Sequence, residues 1–274
     1  MRVISPIVLS LMVASLSPAS ARADAVLFIY PTLVMFEENQ RSAEVTLANR
    51  GDQTGTFEMS WSDLTMTSGG GLVKHEGQAP WSVQPYVRYS PRRVTLAPSE
   101  SQIIKIALRP GQNIPAGEYY SHFRVLTLNS ENLSPENPDA DEPGAAAAVA
   151  IDARTAVAIP IIWRNSPATS SASIESVRMD RDANRLTVDV RRHGQLSVRG
   201  YLHVFETAPD GTRSFLAETV PLVIYPSLDA RTTAIELKDG VLAHSLPRGT
   251  EVSFSPDLEI TDRSIVFASH LIVP

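Results

Sequence analysis

The segment Val149–Trp163 reads VAIDARTAVAIPIIW, and its odd positions are Val149, Ile151, Ala153, Thr155, Val157, Ile159, Ile161 and Trp163. The even positions are mixed, with Asp152 and Arg154 among alanines, Pro160 and Ile162. A period of two places that odd set in one row on one face of an extended strand. The row is long for a strand, whose usual length is about five or six residues. An ordinary sandwich strand would bury such a row in its own core. A row of this length also suggests that one part of it serves a partner.

Outward from this segment the chain keeps the same character. Upstream, Asn129–Glu142 is polar and acidic with two prolines, which predicts a loop, and an alanine run joins it to Val149. Downstream, residues 165–171 (NSPATSS) have linker composition. Strands are expected at Arg41–Leu47, Thr56–Trp61, Tyr86–Tyr89, Arg93–Leu96, Gln102–Leu108 and Tyr119–Leu128 on one side of this linker. On the other side they are expected at Ile174–Met179, Arg185–Val190, Gly200–Glu206, Ser214–Thr219, Thr232–Glu236, Glu251–Phe254 and Ile265–Val273. Ser68–Gly71 predicts a hairpin tip, and Pro209-Asp210-Gly211 a tight turn. No segment has the i, i+3, i+4, i+7 apolar spacing of a helix. The expected fold class is all-β, with two Ig-like β-sandwich domains in tandem, over residues 24–164 and 172–274.

Composition narrows the functional classes. The 274 residues are 43% hydrophobic, with 20 Pro, 14 Gly and no Cys. That content builds cores, and the absence of Cys rules out disulfides, thiol nucleophiles and thiolate metal sites. A net charge of −6 argues against nucleic acid as the main partner. At the N-terminus, Arg2 precedes a mostly apolar run, Val3–Leu16, and Ala21 and Ala23 fit an A-x-A cleavage site. Residues 1–23 are therefore expected to be a cleaved signal peptide, too short in its apolar part for the roughly 20 residues of a membrane span. Removing them takes away Arg2 and Arg22 and no acid, lowering the net charge from −6 to −8. No later stretch suggests stable membrane insertion.

Motifs of catalysis are missing. G-x-S-x-G, H-E-x-x-H, the P-loop and G-x-G-x-x-G are all absent. The six histidines, at 75, 122, 193, 203, 244 and 270, have no metal-ligand spacing and are expected at the surface or in turns. Neither an enzyme nor a cofactor or metal protein is expected.

Several stretches, in order, resemble the periplasmic pilus chaperones, the PapD-like family. They are Tyr30–Phe36 (YPTLVMF), Ser42–Asn49 (SAEVTLAN), Ser60-Trp61, Val87–Pro98 (VRYSPRRVTLAP), Gly117–Arg124 (GEYYSHFR) and Ala158–Arg164 (AIPIIWR). The resemblance covers nearly the whole chain after residue 23. It implies a periplasmic protein that lends a strand to an incomplete, pilin-like subunit and passes it to an outer-membrane usher. It also implies that the lent residues are Val149, Ile151, Ala153, Thr155 and Val157, with Ile159 and Ile161 packing inside the chaperone.

One departure stands out. Family members hold the subunit's C-terminal carboxylate with an Arg on the first strand and a Lys near the end of the donor strand; here these positions carry Leu33 and Pro160. The chain therefore resembles a divergent branch without the usual anchor pair. Replacement cations are sought among Arg88, Arg124, Arg154 and Arg164, with Arg124 and Arg164 favoured because they flank the donor segment. A two-domain structural or adhesive surface protein is the rival reading; it predicts export beyond the periplasm and no dependence on the 149–157 face.

Overall fold

The computed structural model describes residues 25–36, 40–110, 114–128, 155–165, 167–259 and 265–272. Its first unit contains β1 (Leu27–Tyr30), β2 (Val34–Phe36), β3 (Ser42–Asn49), β4 (Gly55–Ser62), β5 (Leu64–Met66), β6 (Leu72–Lys74), β7 (Val87–Ser90), β8 (Arg93–Leu96), β9 (Ser101–Leu108), β10 (Gly117–Leu128) and β11 (Ala156–Asn165). The second contains β12 (Ser170–Asp180), β13 (Arg185–Gly194), β14 (Val198–Thr207), β15 (Arg213–Phe215), β16 (Val220–Ile224), β17 (Ala230–Glu236), β18 (Glu251–Ser255) and β19 (Ala268–Leu271). The described chain is thus almost all β, as its patterning predicts. Regular backbone runs to Asn165 and resumes at Ser170, so strands occupy both ends of the expected 165–171 linker.

Two sheets form the first unit, in the orders β1-β3-β9-β7 and β2-β11-β10-β4-β8. β1 pairs antiparallel with β3, whereas β2, four residues on, pairs parallel with β11 in the opposite sheet. The first strand therefore crosses from one sheet to the other and closes one side of the sandwich. Alternation decides which face each strand buries. In β4, Phe57 and Met59 point inward between half-exposed neighbours, and in β9 Ile104 and Ile106 do the same. These meet Val45, Leu47, Phe123, Ile159 and Ile161 in one core. Burying side chains of this size contributes about 1.5–3 kcal/mol each.

β10 is different in its middle. Tyr120, Ser121, His122 and Phe123 are consecutively buried, while the strand alternates again from Arg124 onward. Tyr119, Phe123 and Val125 face the sandwich core, whereas Glu118, Tyr120 and His122 face the second unit. That unit packs β12, β13 and β17 against the sheet built on β14 and β18, around Leu186, Val188, Leu202, Val204, Val252 and Phe254. The expected turn at Pro209-Asp210-Gly211 joins β14 to β15, with Gly211 at φ +86.

Some expectations shift. Ser214–Thr219 is strand only as far as Phe215 and then keeps a single bridge, Ala217 to Leu237. Ile265–Val273 shortens to Ala268–Leu271. His122 and His203 were expected near the surface, but their relative exposures are 2% and 1%. His122 lies on the strand that the second unit covers, and His203 sits mid-strand on β14, opposite Ser253 of β18.

The free edge of β11 and the seam between the units

β11 runs antiparallel to β10 from Gly117↔Asn165 to Leu126↔Ala156. On its other side β2 pairs only with Ile161, Ile162 and Trp163. Among the described residues, Ala156–Pro160 therefore has a strand partner on one side alone. The phase of the ladder is fixed by Thr127, whose N–H donates to the Thr155 carbonyl at 2.9 Å. Antiparallel pairs alternate, so the odd residues of β11 exchange bonds with β10 and the even ones point the other way. The N–H and C=O groups of Ala156 and Ala158 thus face the unpaired side. Pro160 falls in the same phase, where its missing N–H leaves no donor unmet.

Side chains follow the same alternation. Ile159 and Ile161 are buried in the core, as the resemblance implies. Val157 is half-buried and packs against that core, and Thr155 is exposed. The row thus emerges from the sandwich at this end of β11. Val149, Ile151, Ala153 and Arg154 lie outside the described residues.

The structure does not gather the expected arginines in one place. Arg124 is half-buried on β10, between Ala158 of β11 and Ser60 of β4. Arg164 pairs across β10 with Glu118, six positions further along, which is roughly 20 Å of strand. Arg88 is exposed on β7, at the opposite margin of the sandwich.

Arg164 belongs to the seam between the two units. Its Nε donates to Glu118 Oε2 at 2.9 Å, and its Nη2 reaches the Ser197 carbonyl at 3.3 Å. The same carboxylate oxygen accepts from the Ser197 N–H at 3.1 Å and the Ser197 hydroxyl at 3.0 Å. Three donors, two of them from the second unit, converge on one buried oxygen. This pairing offsets part of the cost of burying a glutamate side chain of 0% exposure, whose Oε1 has no hydrogen-bond partner among the described residues.

Beside this ion pair the seam is apolar and aromatic. Tyr120 stacks on Tyr225 at 4.4 Å, and Met66 and Ile162 join them. Leu33 and Met35 pack against this cluster, so at Leu33 the apolar side chain fills the seam where the resemblance would place a cation. Tyr120 and Ser227 hydroxyls are 2.6 Å apart, and burial pushes the Tyr120 phenol well above its ordinary range. The β5–β6 hairpin, with its tip at Ser68–Gly71 as expected, reaches the second unit: the Thr232 N–H donates to the Ser68 carbonyl at 2.8 Å. Gly70 has φ +85 and lies against the Arg231 guanidinium, where a Cβ would collide.

His122 faces the same seam. Burial lowers its pKa to about 4; the Asp63 charge opposes that shift, and Arg199 adds to it. Asp63 is held by the Ser121 hydroxyl at 2.6 Å and the Ser82 hydroxyl at 3.1 Å. Neither His122 ring nitrogen has a hydrogen-bond partner among the described residues.

A cleft of about 440 Å³ opens between the units, lined in part by Met35, Arg164, Ser170, Ser197, Arg199 and Phe267. Arg199 is a cleft cation that the sequence reading missed. It sits 5.9 Å from the centroid of the Tyr225 ring, a proximity without any local sequence signal because the two residues are 26 apart. Among the described residues no group of three or more His, Asp or Glu side chains could hold a metal ion.

No family model matches the chain, and no curated protein matches it. Pilus chaperones are prominent among the solved structures that resemble it. One is the complex of CsuC with the tip adhesion subunit CsuE, from archaic chaperone-usher Csu pili of Acinetobacter baumannii. Its match has 13% identity and a TM-score of 0.49, and covers 89% of this chain and 99% of that one. Another is the class 5 fimbriae chaperone CfaA, at 13% identity and a TM-score of 0.44, covering 91% and 100%. A third is the SafB chaperone in complex with the SafA pilin of Salmonella enterica, at 13% and 0.43, covering 90% and 97%. Each likeness covers about nine tenths of this chain.

Proposed function

We propose that this chain is a periplasmic chaperone of the PapD-like kind, which binds pilin-like subunits by lending them a strand and delivers them to an outer-membrane usher. The observation that carries the reading is the one-sided pairing of Ala156–Pro160 among the described residues, directly following the apolar sequence row of Val149, Ile151, Ala153, Thr155 and Val157. Strand addition needs an unpaired edge for main-chain hydrogen bonds and alternate side chains for register. This segment offers both. Val157 serves two roles in this scheme, since it also packs on the chaperone's own core. Covering the subunit's open edge protects it from aggregation.

A carboxylate at the subunit's C-terminus fits the interdomain cleft, where Arg164 and Arg199 both contribute to the lining. Arg164 is already engaged by Glu118, so a second carboxylate shares its remaining donors or turns to Arg199. Arg124 lies closer to the lent segment and binds along the strand instead of at its end.

Co-expression with a cognate subunit followed by co-purification tests the proposal. Ile151→Asp is expected to abolish the complex while leaving the melting temperature of the chaperone unchanged. Undiminished co-purification of that variant contradicts the lent-strand assignment.

A further inference from the structure

On the margin of the first unit away from β11, three arginines surround one hollow. Its volume is about 230 Å³, and its lining includes Trp61, Tyr89, Arg88, Arg92 and Arg109, with no carboxylate. This concentration is unusual for the chain. The net charge is −6, and Arg93, Arg164, Arg178, Arg185, Arg191 and Arg192 each face a carboxylate. Arg88, Arg92 and Arg109 have no such partner among the described residues. Glu58, on the neighbouring strand β4, is paired with Arg93 at 2.5 Å.

The walls of the hollow are fixed. Arg109 donates from Nε to the Val87 carbonyl at 3.0 Å, and its N–H donates to the Tyr86 carbonyl at 2.8 Å. The Arg92 carbonyl accepts from the Met59 N–H at 2.9 Å. Tyr89 donates its hydroxyl to the Met59 carbonyl at 2.8 Å and meets Trp61 edge-on at 5.5 Å. Two aromatic rings and a held guanidinium are therefore in place before anything binds, which lowers the ordering cost of binding. All three arginines are exposed, so their charges remain available to solvent and partner.

We infer that this hollow is a docking site for an acidic peptide segment of a protein partner, with a carboxylate side chain seated between Arg88, Arg92 and Arg109. A hollow of about 230 Å³ has room for a side-chain carboxylate and its aliphatic stem. Planar guanidinium groups match carboxylates in paired hydrogen bonds. Aromatic faces beside them accept the aliphatic part of a Glu or its neighbour. The site does not involve the β11 edge, so it operates with or without a lent strand.

Amide NMR shifts of the full chain, titrated with an end-blocked hexaglutamate peptide, test the inference. Saturable shifts are expected at Trp61, Val87–Ser90, Arg92 and Arg109. The variant Arg88→Gln/Arg92→Gln, which leaves the Arg109 brace intact, is expected to weaken binding about tenfold or more at unchanged melting temperature. Hexaglutamine is expected not to bind. Shifts scattered over the other basic residues, an unchanged affinity in the double variant, or equal competition by millimolar inorganic phosphate each overturns the inference, the last by reducing the site to a small-anion hollow.

Discussion

At the scale of single residues, the seam depends on a buried carboxylate and a buried imidazole. Glu118 is fully covered, and its partner Arg164 is 28% exposed. Removing one partner of such a pair leaves the other charge uncompensated, at a cost of about 3–5 kcal/mol when both are buried. Because Arg164 retains some solvent, Arg164→Ala is expected to cost about 2–4 kcal/mol in urea denaturation. Arg93→Ala breaks the surface pair with Glu58, where the side chains are 63% and 42% exposed, and is expected to cost at most about 0.5 kcal/mol. Equal losses in the two variants would show that the seam pair has no special weight. His122 makes a second prediction. Its folded pKa is near 4, below the ordinary 6.5, so the folded state binds this proton less well than the unfolded state does. Its contribution to stability is full above pH 6.5 and declines as pH falls toward 4. The melting temperature of wild type is thus expected to drop more steeply between pH 6.5 and 4 than that of His122→Phe. Parallel curves would remove His122 from the account.

At the scale of elements, period-two alternation made most strands readable. Arg93–Leu96 appears with its expected limits, and β3, β4, β9 and β10 differ from expectation by one or two residues at an end. Alternation works there because one face meets the core and the other meets water. The signal weakens where that asymmetry fails. β1 and β2 are short and change sheets between them, and β6 has all three residues exposed. β16 was missed because Val220–Ile224 includes a proline and follows directly on the irregular Leu216–Thr219 stretch. In the candidate site, the row on β11 was legible from its length and period. The fate of Arg164 was not, because Glu118 and Ser197 lie 46 and 79 positions apart from their partners in the seam contacts. Leu33 illustrates the converse. The resemblance would place a cation at its position, and the packing against Tyr120, Ile162 and Tyr225 gives the apolar residue a purpose.

At the scale of the whole molecule, two sandwiches are joined by a seam of stacked tyrosines, one buried ion pair and a hairpin that crosses between them. This bracing holds β10 on both faces near the seam. The far end of β11, at Ala156–Pro160, keeps one side without a strand partner among the described residues. The molecule thus pairs a braced end, beside the cleft, with an open strand edge about 20 Å away along β11. Hydrogen exchange of the amides of Ala156 and Ala158, read with and without a bound pilin-like subunit, tests the central claim most directly. The account predicts fast exchange in the free protein and strong slowing of both amides in the complex, because their N–H groups become ladder bonds to the subunit. Exchange at these two amides that stays fast in a saturated complex would contradict it.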